Sequence, residues 1–118
     1  MKTFPCPNAT LFLAPMAGIT DKAFRSLCVS YGAQVTMSEM VSVKAILQGN
    51  KKALSLCEPA TNETCFGVQL FGSNPKEFAK AATIIADKAD FIDVNIGCPV
   101  PKICSVGAGM ELLQSPQT

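Results

Sequence analysis

Four apolar runs, separated by stretches with helical periodicity, constrain what this 118-residue chain can fold into. Each run is short and bounded by Pro, Gly or polar residues, which is typical of strands, and the stretches between them are long enough for helices. Strands that alternate with helices form parallel sheets joined by right-handed crossovers. The order therefore predicts an α/β fold with strands at 11–16, 35–40, 65–71 and 91–96.

Helix-start and helix-stop residues lie between the four runs. Thr20 is predicted to cap the first helix, with Asp21 in its first turn, and Gly32 is predicted to end it in a left-handed conformation. Asn74 followed by Pro75 predicts the start of the helix before the last strand. The first helix is expected to bury a face formed by Phe24, Leu27, Cys28 and Tyr31. The other predictions are a short helix over 42–48, an irregular segment over 50–64 and a glycine-weakened helix over 105–114.

The charge and the missing residue types exclude several functions. The net charge is +1 and 48% of the residues are hydrophobic, which indicates one globular domain without the basic surface typical of nucleic-acid binding. The chain has no histidine. Metal sites of the HExxH kind, Cys-His nucleophiles and histidine acid-base catalysis are therefore excluded within it.

Cysteine spacing and hydropathy indicate the compartment. The six cysteines form no C-x-x-C pair and no zinc-binding spacing, which favours reduced thiols. No run reaches the roughly 20 apolar residues of a membrane span. Two prolines within the first eight residues, Met1–Asn8, argue against a signal peptide. The sequence therefore predicts a cytoplasmic protein without a metal site or a membrane segment.

The last apolar run ends in a stretch suited to chemistry. Side chains alternate on a strand, so Asp93 and Asn95 share the face opposite Ile92, Val94 and Ile96. Gly97 then ends the strand, and Cys98 follows on a loop that Pro99 stiffens. The carboxyl ends of strands are where α/β proteins hold their reactive groups. A small buried thiol that fills a gap is the alternative interpretation of Cys98.

Four blocks in this order and spacing resemble the tRNA-dihydrouridine synthase family. Any one of them is a weak signal, but the four in register cover roughly residues 11 to 116, and the block around Cys98 is the most specific. They are Ala14-Pro15-Met16-Ala17-Gly18-Ile19-Thr20-Asp21 with Phe24-Arg25, Ser38-Glu39-Met40, Val68-Gln69-Leu70-Phe71-Gly72, and Asn95-Ile96-Gly97-Cys98-Pro99 with Lys102 and Gly107-Ala108-Gly109.

The resemblance implies a fold and a reaction. The fold is a (β/α)8 TIM barrel with FMN at the carboxyl rim of its strands. The reaction is reduction of the C5=C6 bond of uridine in tRNA to 5,6-dihydrouridine, with NAD(P)H as the reductant of the flavin. Cys98 matches the family's proton donor, Asn95 a residue of the base pocket and Gln69 a side chain bonded to the flavin ring. Pro15, Met16 and Ala17 match the backbone stretch against the flavin.

The length departs from the family pattern. A (β/α)8 barrel takes about 250 residues, and this chain supplies about four strand-helix units. Residues 1–118 are therefore expected to be the N-terminal part of an FMN-binding barrel domain, and this fragment alone is expected to be inactive. The alternatives are another FMN-dependent barrel oxidoreductase that acts on a small molecule, and an inactive half-barrel that only self-associates.

Several residues keep a second interpretation. Met16 is alternatively a core residue and Gln69 a partner of the backbone at a strand end. Glu39 is either a ligand at the rim or a charge at a helix entry. Lys102 is either a contact to RNA phosphate or a solvated surface charge, and Cys104 is expected to pack rather than react.

Overall fold

A computed structural model describes residues 4–117, so the first three residues of the Met1–Asn8 segment and Thr118 lie outside the described part. Its centre is a parallel sheet of β1 (Thr36–Met37), β2 (Val41–Ser42), β3 (Phe66–Phe71) and β4 (Phe91–Val94). β3 pairs in parallel with each of the others. The predicted α/β fold with parallel strands is confirmed.

The second predicted strand, 35–40, is shorter than predicted: only β1 lies within it, and β2 begins just after its end. β1 pairs with the start of β3, where Thr36 lies opposite Phe66, and β2 pairs with its end, where Ser42 lies opposite Phe71. Between them, the Ser38 N–H still donates to Gly67 O at 2.9 Å, and the Ser38 and Glu39 side chains make further contacts. β1 and β2 are therefore separate strands, with residues 38–40 between them at the level of the candidate site.

The first predicted strand is much shorter than the range 11–16. It is a single parallel bridge between Phe12 and Val35, and the Leu13 N–H donates to Val35 O at 2.9 Å. The extension to residue 16 is wrong because Pro15 has no N–H to donate to a ladder and the Met16 backbone bonds locally.

Helices connect the strands and cover one face of the sheet. They are α1 (Lys22–Ser30), α2 (Val43–Leu47), α3 (Lys51–Leu56), α4 (Pro75–Ile84), α5 (Pro101–Cys104) and a 3-10 helix (Gly109–Gln114). The cap at Asn74 is confirmed, because its side chain accepts hydrogen bonds from the Lys76 and Glu77 N–H groups. Between residues 4 and 117, no helix is long and apolar enough to cross a membrane.

Three helix predictions need correction. Asp21, not Thr20, caps α1: its carboxylate accepts from the Phe24 N–H at 2.8 Å, whereas the Thr20 side chain is buried against Met16. The segment 50–64 is not wholly irregular, because it contains α3, capped by the Asn50 side chain. The helix predicted over 105–114 is absent as one unit: α5 ends at residue 104, and two glycines with positive φ precede or begin the 3-10 helix, Gly107 at 73° and Gly109 at 62°.

The buried face of α1 also differs from the prediction. Tyr31 is 84% exposed and Leu27 is 54% exposed, whereas Arg25 is 1% exposed. Arg25 donates from Nε to Glu63 Oε1 at 2.8 Å, from Nη1 to Thr20 O and from Nη2 to Glu58 O. Helical periodicity identifies apolar faces, and it gave no warning that this helix turns its arginine inward to a buried carboxylate.

The hydrophobic core lies between the sheet and α2, α3 and α4. Val68 and Leu70 of β3 point into it and are completely buried. The opposite face of β3 carries Gly67 and Gln69, and Phe91 on β4 packs its ring so close to Gly67 that a side chain there would overlap it. On this opposite face, the side chains nearest the carboxyl ends of the strands belong to the candidate site.

Candidate functional site at the carboxyl ends of the strands

Two neighbouring strands present a joined set of polar side chains on the face away from the core. Gln69 on β3 lies in register with Asp93 on β4 and donates from Nε2 to Asp93 Oδ2 at 2.6 Å. The Gln69 Oε1 accepts from Asn95 Nδ2 at 3.1 Å. Because side chains two residues apart share a face, Asp93 and Asn95 both reach the same glutamine.

The loop that follows β4 holds Cys98 by its backbone. The Cys98 N–H donates to Asn95 Oδ1 at 3.1 Å, and the Cys98 carbonyl accepts from the Met110 N–H at 3.0 Å. The Cys104 thiol donates to the same carbonyl at 3.5 Å. A side chain at Gly109 would lie 2.6 Å from that oxygen, so only glycine permits this approach. The thiol of Cys98 is therefore carried on a well-anchored loop and is half-buried.

A second set of contacts ties the turn after the first bridge to the same site. The Gly18 N–H donates to Glu39 Oε2 at 2.5 Å. Ser38 donates from Oγ to Glu39 O at 2.7 Å and accepts from the Gln69 N–H at 3.1 Å. Hydrogen bonds thus link the turn at Gly18, through Glu39, Ser38, Gln69 and Asn95, to the loop at Cys98.

The Met16 segment is shaped by Thr20. The Thr20 hydroxyl accepts from the Met16 N–H at 3.0 Å and donates to the Met16 carbonyl at 3.2 Å. Met16 is 37% exposed, and Ala17 is also exposed. In the described residues, the segment therefore offers an apolar surface next to the strand ends.

The structure brings together most of the residues selected from the sequence. Gln69, Asn95 and Cys98 are joined by direct hydrogen bonds, and Pro15, Met16 and Ala17 precede the glycine that is bonded to Glu39. Lys102 lies exposed on α5, and Cys104 contacts the Cys98 backbone as expected for a packing residue.

Sequence reasoning missed two of the linking side chains. Asp93 and Ser38 each bond to Gln69. The alternation of side chains on β4 placed Asp93 on the same face as Asn95, and this pattern could have identified Asp93 as part of the site. Nothing in the sequence indicated that the neighbouring strand would bring a glutamine into register with it.

Two other thiols are unsuited to reaction. Burial raises the pKa of the Cys57 thiol to about 11. Burial, together with a hydrogen bond that the Cys65 thiol makes to Cys6, raises the pKa of Cys65 to about 12. Both therefore remain protonated and inert near neutral pH, because the thiolate is the reactive form and burial disfavours it.

An apolar cavity of about 450 Å³ lies on the other side of β4. It is bounded by Phe78 on α4, by Val94 and Ile96, and by Leu112 of the 3-10 helix. Val94 and Ile96 point away from Asn95, so this cavity is separate from the Cys98 site. In the described part of the chain, no three His, Cys, Asp or Glu side chains are grouped as metal ligands.

Residues 12–118 match a family model described as dihydrouridine synthase (Dus). A probable tRNA-dihydrouridine synthase of Treponema pallidum (strain Nichols) is 44% identical over 111 residues, which cover 92% of this chain and 33% of that protein. The tRNA-dihydrouridine synthase B of Pasteurella multocida (strain Pm70) is 43% identical over 107 residues, covering 90% of this chain and 32% of that protein.

A more distant relative is also similar. A tRNA-dihydrouridine(47) synthase of Cryptococcus neoformans var. neoformans serotype D (strain B-3501A), whose name includes NAD(P)(+), is 39% identical over 111 residues, 89% of this chain and 15% of that protein. The chain thus spans about a third of the length of the bacterial relatives it matches. With a family match over nearly all of its residues, the chain belongs to the dihydrouridine synthase family.

Proposed function

We propose that the chain contributes to reduction of the C5=C6 bond of uridine in tRNA to 5,6-dihydrouridine, with FMN as the cofactor and NAD(P)H as the reductant. The observation that carries the proposal is the hydrogen-bonded series Gln69, Asn95 and Cys98 at the strand ends. Residues 1–118 would form the N-terminal part of a TIM-barrel catalytic domain. Family membership and the parallel strand order support this assignment.

The residues at the rim fit a flavin ring. When bound, FMN supplies the hydride for the base. Pro15, Met16 and Ala17 would lie against the ring, since the exposed Met16–Ala17 surface is apolar and its backbone is anchored by Thr20. Gln69 uses one of its two N–H groups for Asp93, so a second N–H remains for a polar edge of the ring.

Cys98 and Asn95 would act on the base. Cys98 would serve as the proton donor, because the anchored loop after β4 holds its thiol at the carboxyl ends of the strands. Asn95 would line the base pocket, with one N–H and one lone pair left after its bonds to Gln69 and Cys98. An enzyme that modifies a base must take it out of its stack, which requires such a pocket.

The function is tested on tRNA. Uridine-containing tRNA is incubated with a full-length enzyme that contains this chain, FMN and NADPH or NADH, and its nucleosides are then analysed by mass spectrometry. We expect dihydrouridine, seen as uridine plus two hydrogen masses. Flavin oxidation by a small enone with unchanged tRNA would favour the alternative of a small-molecule oxidoreductase. A full-length protein that neither binds flavin nor changes tRNA would contradict the proposal.

Cofactor affinity gives a second prediction. Residues 1–118 alone should bind FMN weakly, with a Kd above about 1 µM, because the phosphate-binding loops of such barrels follow strands seven and eight. A doubly charged phosphate is usually the anchor of the ligand. Titration of FMN fluorescence against residues 1–118 and against the full-length enzyme measures the difference. Submicromolar binding by residues 1–118 would contradict the prediction.

A further inference from the structure

We propose that Asp93 is a positioning residue whose carboxylate sets the direction of the hydrogen bonds that run through Gln69 and Asn95 to Cys98. The inference rests on the proposed function only where it concerns catalysis. The direction of the hydrogen bonds does not depend on that function. Within residues 4–117, the hydrogen bond of the Asp93 carboxylate goes to Gln69 rather than to the Cys98 loop, so Asp93 acts through the two amides.

The argument starts from the chemistry of a carboxylate. An ionised carboxylate accepts hydrogen bonds and has no proton to donate. At 2.6 Å from Asp93 Oδ2, Gln69 must therefore present its NH2 group rather than its carbonyl oxygen. The bond is short, as charge-assisted bonds are, so this orientation is strongly preferred.

One orientation then sets the next. With its NH2 toward Asp93, Gln69 turns Oε1 toward Asn95, which donates from Nδ2 at 3.1 Å. The Asn95 Oδ1 is left facing the Cys98 N–H, which donates to it at 3.1 Å. Every bond in the series thus points from the loop toward the carboxylate.

Without a carboxylate, only the Cys98 N–H at the other end of the series still favours this direction, so the reversed series becomes less costly. The oxygen and nitrogen of an amide are nearly equal in size, so a flipped amide occupies the same space. In the reversed series, Asn95 would present Nδ2 to the Cys98 N–H, and two donors would face each other. The loop would then lose one of the bonds that anchor the Cys98 backbone.

The same constraint determines what the amides offer to a ligand. Gln69 and Asn95 each retain one N–H and one carbonyl lone pair after the internal bonds are made. Their positions follow from the direction that Asp93 imposes. Asp93 therefore determines the donor and acceptor pattern at the rim without touching the ligand.

The test uses the isosteric variant Asp93→Asn, because an amide at position 93 accepts or donates equally well. Hydrogen exchange of the Cys98 backbone amide is measured by NMR without flavin or tRNA and divided by the rate at Val68, which is buried in the core. Loss of one hydrogen bond predicts a rise of about two- to tenfold in this ratio. The Gln69 and Asn95 side-chain NH2 resonances should shift as well.

A double variant distinguishes direction from simple loss of a charge. In Gln69→Glu with Asp93→Asn, the carboxylate introduced at position 69 again forces Asn95 to donate from Nδ2, so the exchange ratio at Cys98 should return to within about twofold of the parent. Asp87→Asn, which removes the same charge from an exposed site, is the matched control and should leave the ratio unchanged.

Two results would overturn the proposal. One is an unchanged exchange ratio in Asp93→Asn, and the other is a double variant whose Cys98 amide exchanges as fast as in the single variant. Because neither measurement involves tRNA, a failure of the proposed function would leave these results standing. A failure here would equally leave tRNA reduction to be judged by its own assay.

Discussion

Replacing Cys98 with alanine is expected to lower the rate of uracil reduction by about 10²–10⁴-fold in a complete enzyme. Hydride transfer to one carbon of the base leaves negative charge on its neighbour and on the carbonyl, so a positioned proton donor contributes strongly. The Cys98 N–H donates to Asn95 and its carbonyl accepts from the Met110 N–H, and these bonds would hold it for the proposed role. Reduction of the flavin by the nicotinamide needs no such proton and should be spared.

Paired stopped-flow measurements separate the two half-reactions. Flavin bleaching with NADPH or NADH reports the first, and reoxidation on addition of tRNA reports the second. Cys104→Ala is the matched control, because its thiol donates to the backbone carbonyl of Cys98 rather than to the Cys98 thiol, and its loss should leave most activity. If Cys98→Ala reoxidises as fast as the parent, Cys98 is a packing residue.

Arg25→Met is expected to destabilise the fold by about 3–5 kcal/mol, because it leaves the Glu63 carboxylate buried without its cation. The side chains of both residues are at most 1% exposed. Arg25 also lies over the Phe66 ring at 4.6 Å, and Thr36 donates to the same carboxylate at 2.6 Å. The network thus ties α1 to the amino ends of β1 and β3.

Lys88→Met is the matched control for this prediction. It removes the cation of a second ion pair, Lys88 with Glu58, whose side chains are 29% and 44% exposed. Exposed pairs contribute about 0–1 kcal/mol, so this variant should stay close to the parent. Urea unfolding at one protein concentration measures both free energies. A loss of less than about 1 kcal/mol in the free energy of unfolding for Arg25→Met would mean that the buried pair does not stabilise the packing of α1 against β1 and β3.

Local rules were sufficient for several elements. The alternation of strand and helix predicted the parallel sheet, and Asn74-Pro75 predicted the start of α4, because caps and turns depend on a few adjacent residues. The alternation on β4 placed Asp93 and Asn95 on one face. The family motifs selected Gln69, Asn95 and Cys98, which the fold brings into contact.

By itself the sequence determined the alternation of strands and helices, the start of α4 and the residues suited to chemistry, since these depend on side-chain type and local spacing. Only the tertiary structure decided which of those residues meet. The register of β3 against β4 joins Gln69 to Asp93, and the turn at Gly18 meets Glu39 from 21 residues away. The burial of Arg25 depends on Glu63, 38 residues later in the chain. Pairings between distant residues follow from packing of whole elements, which no local pattern encodes.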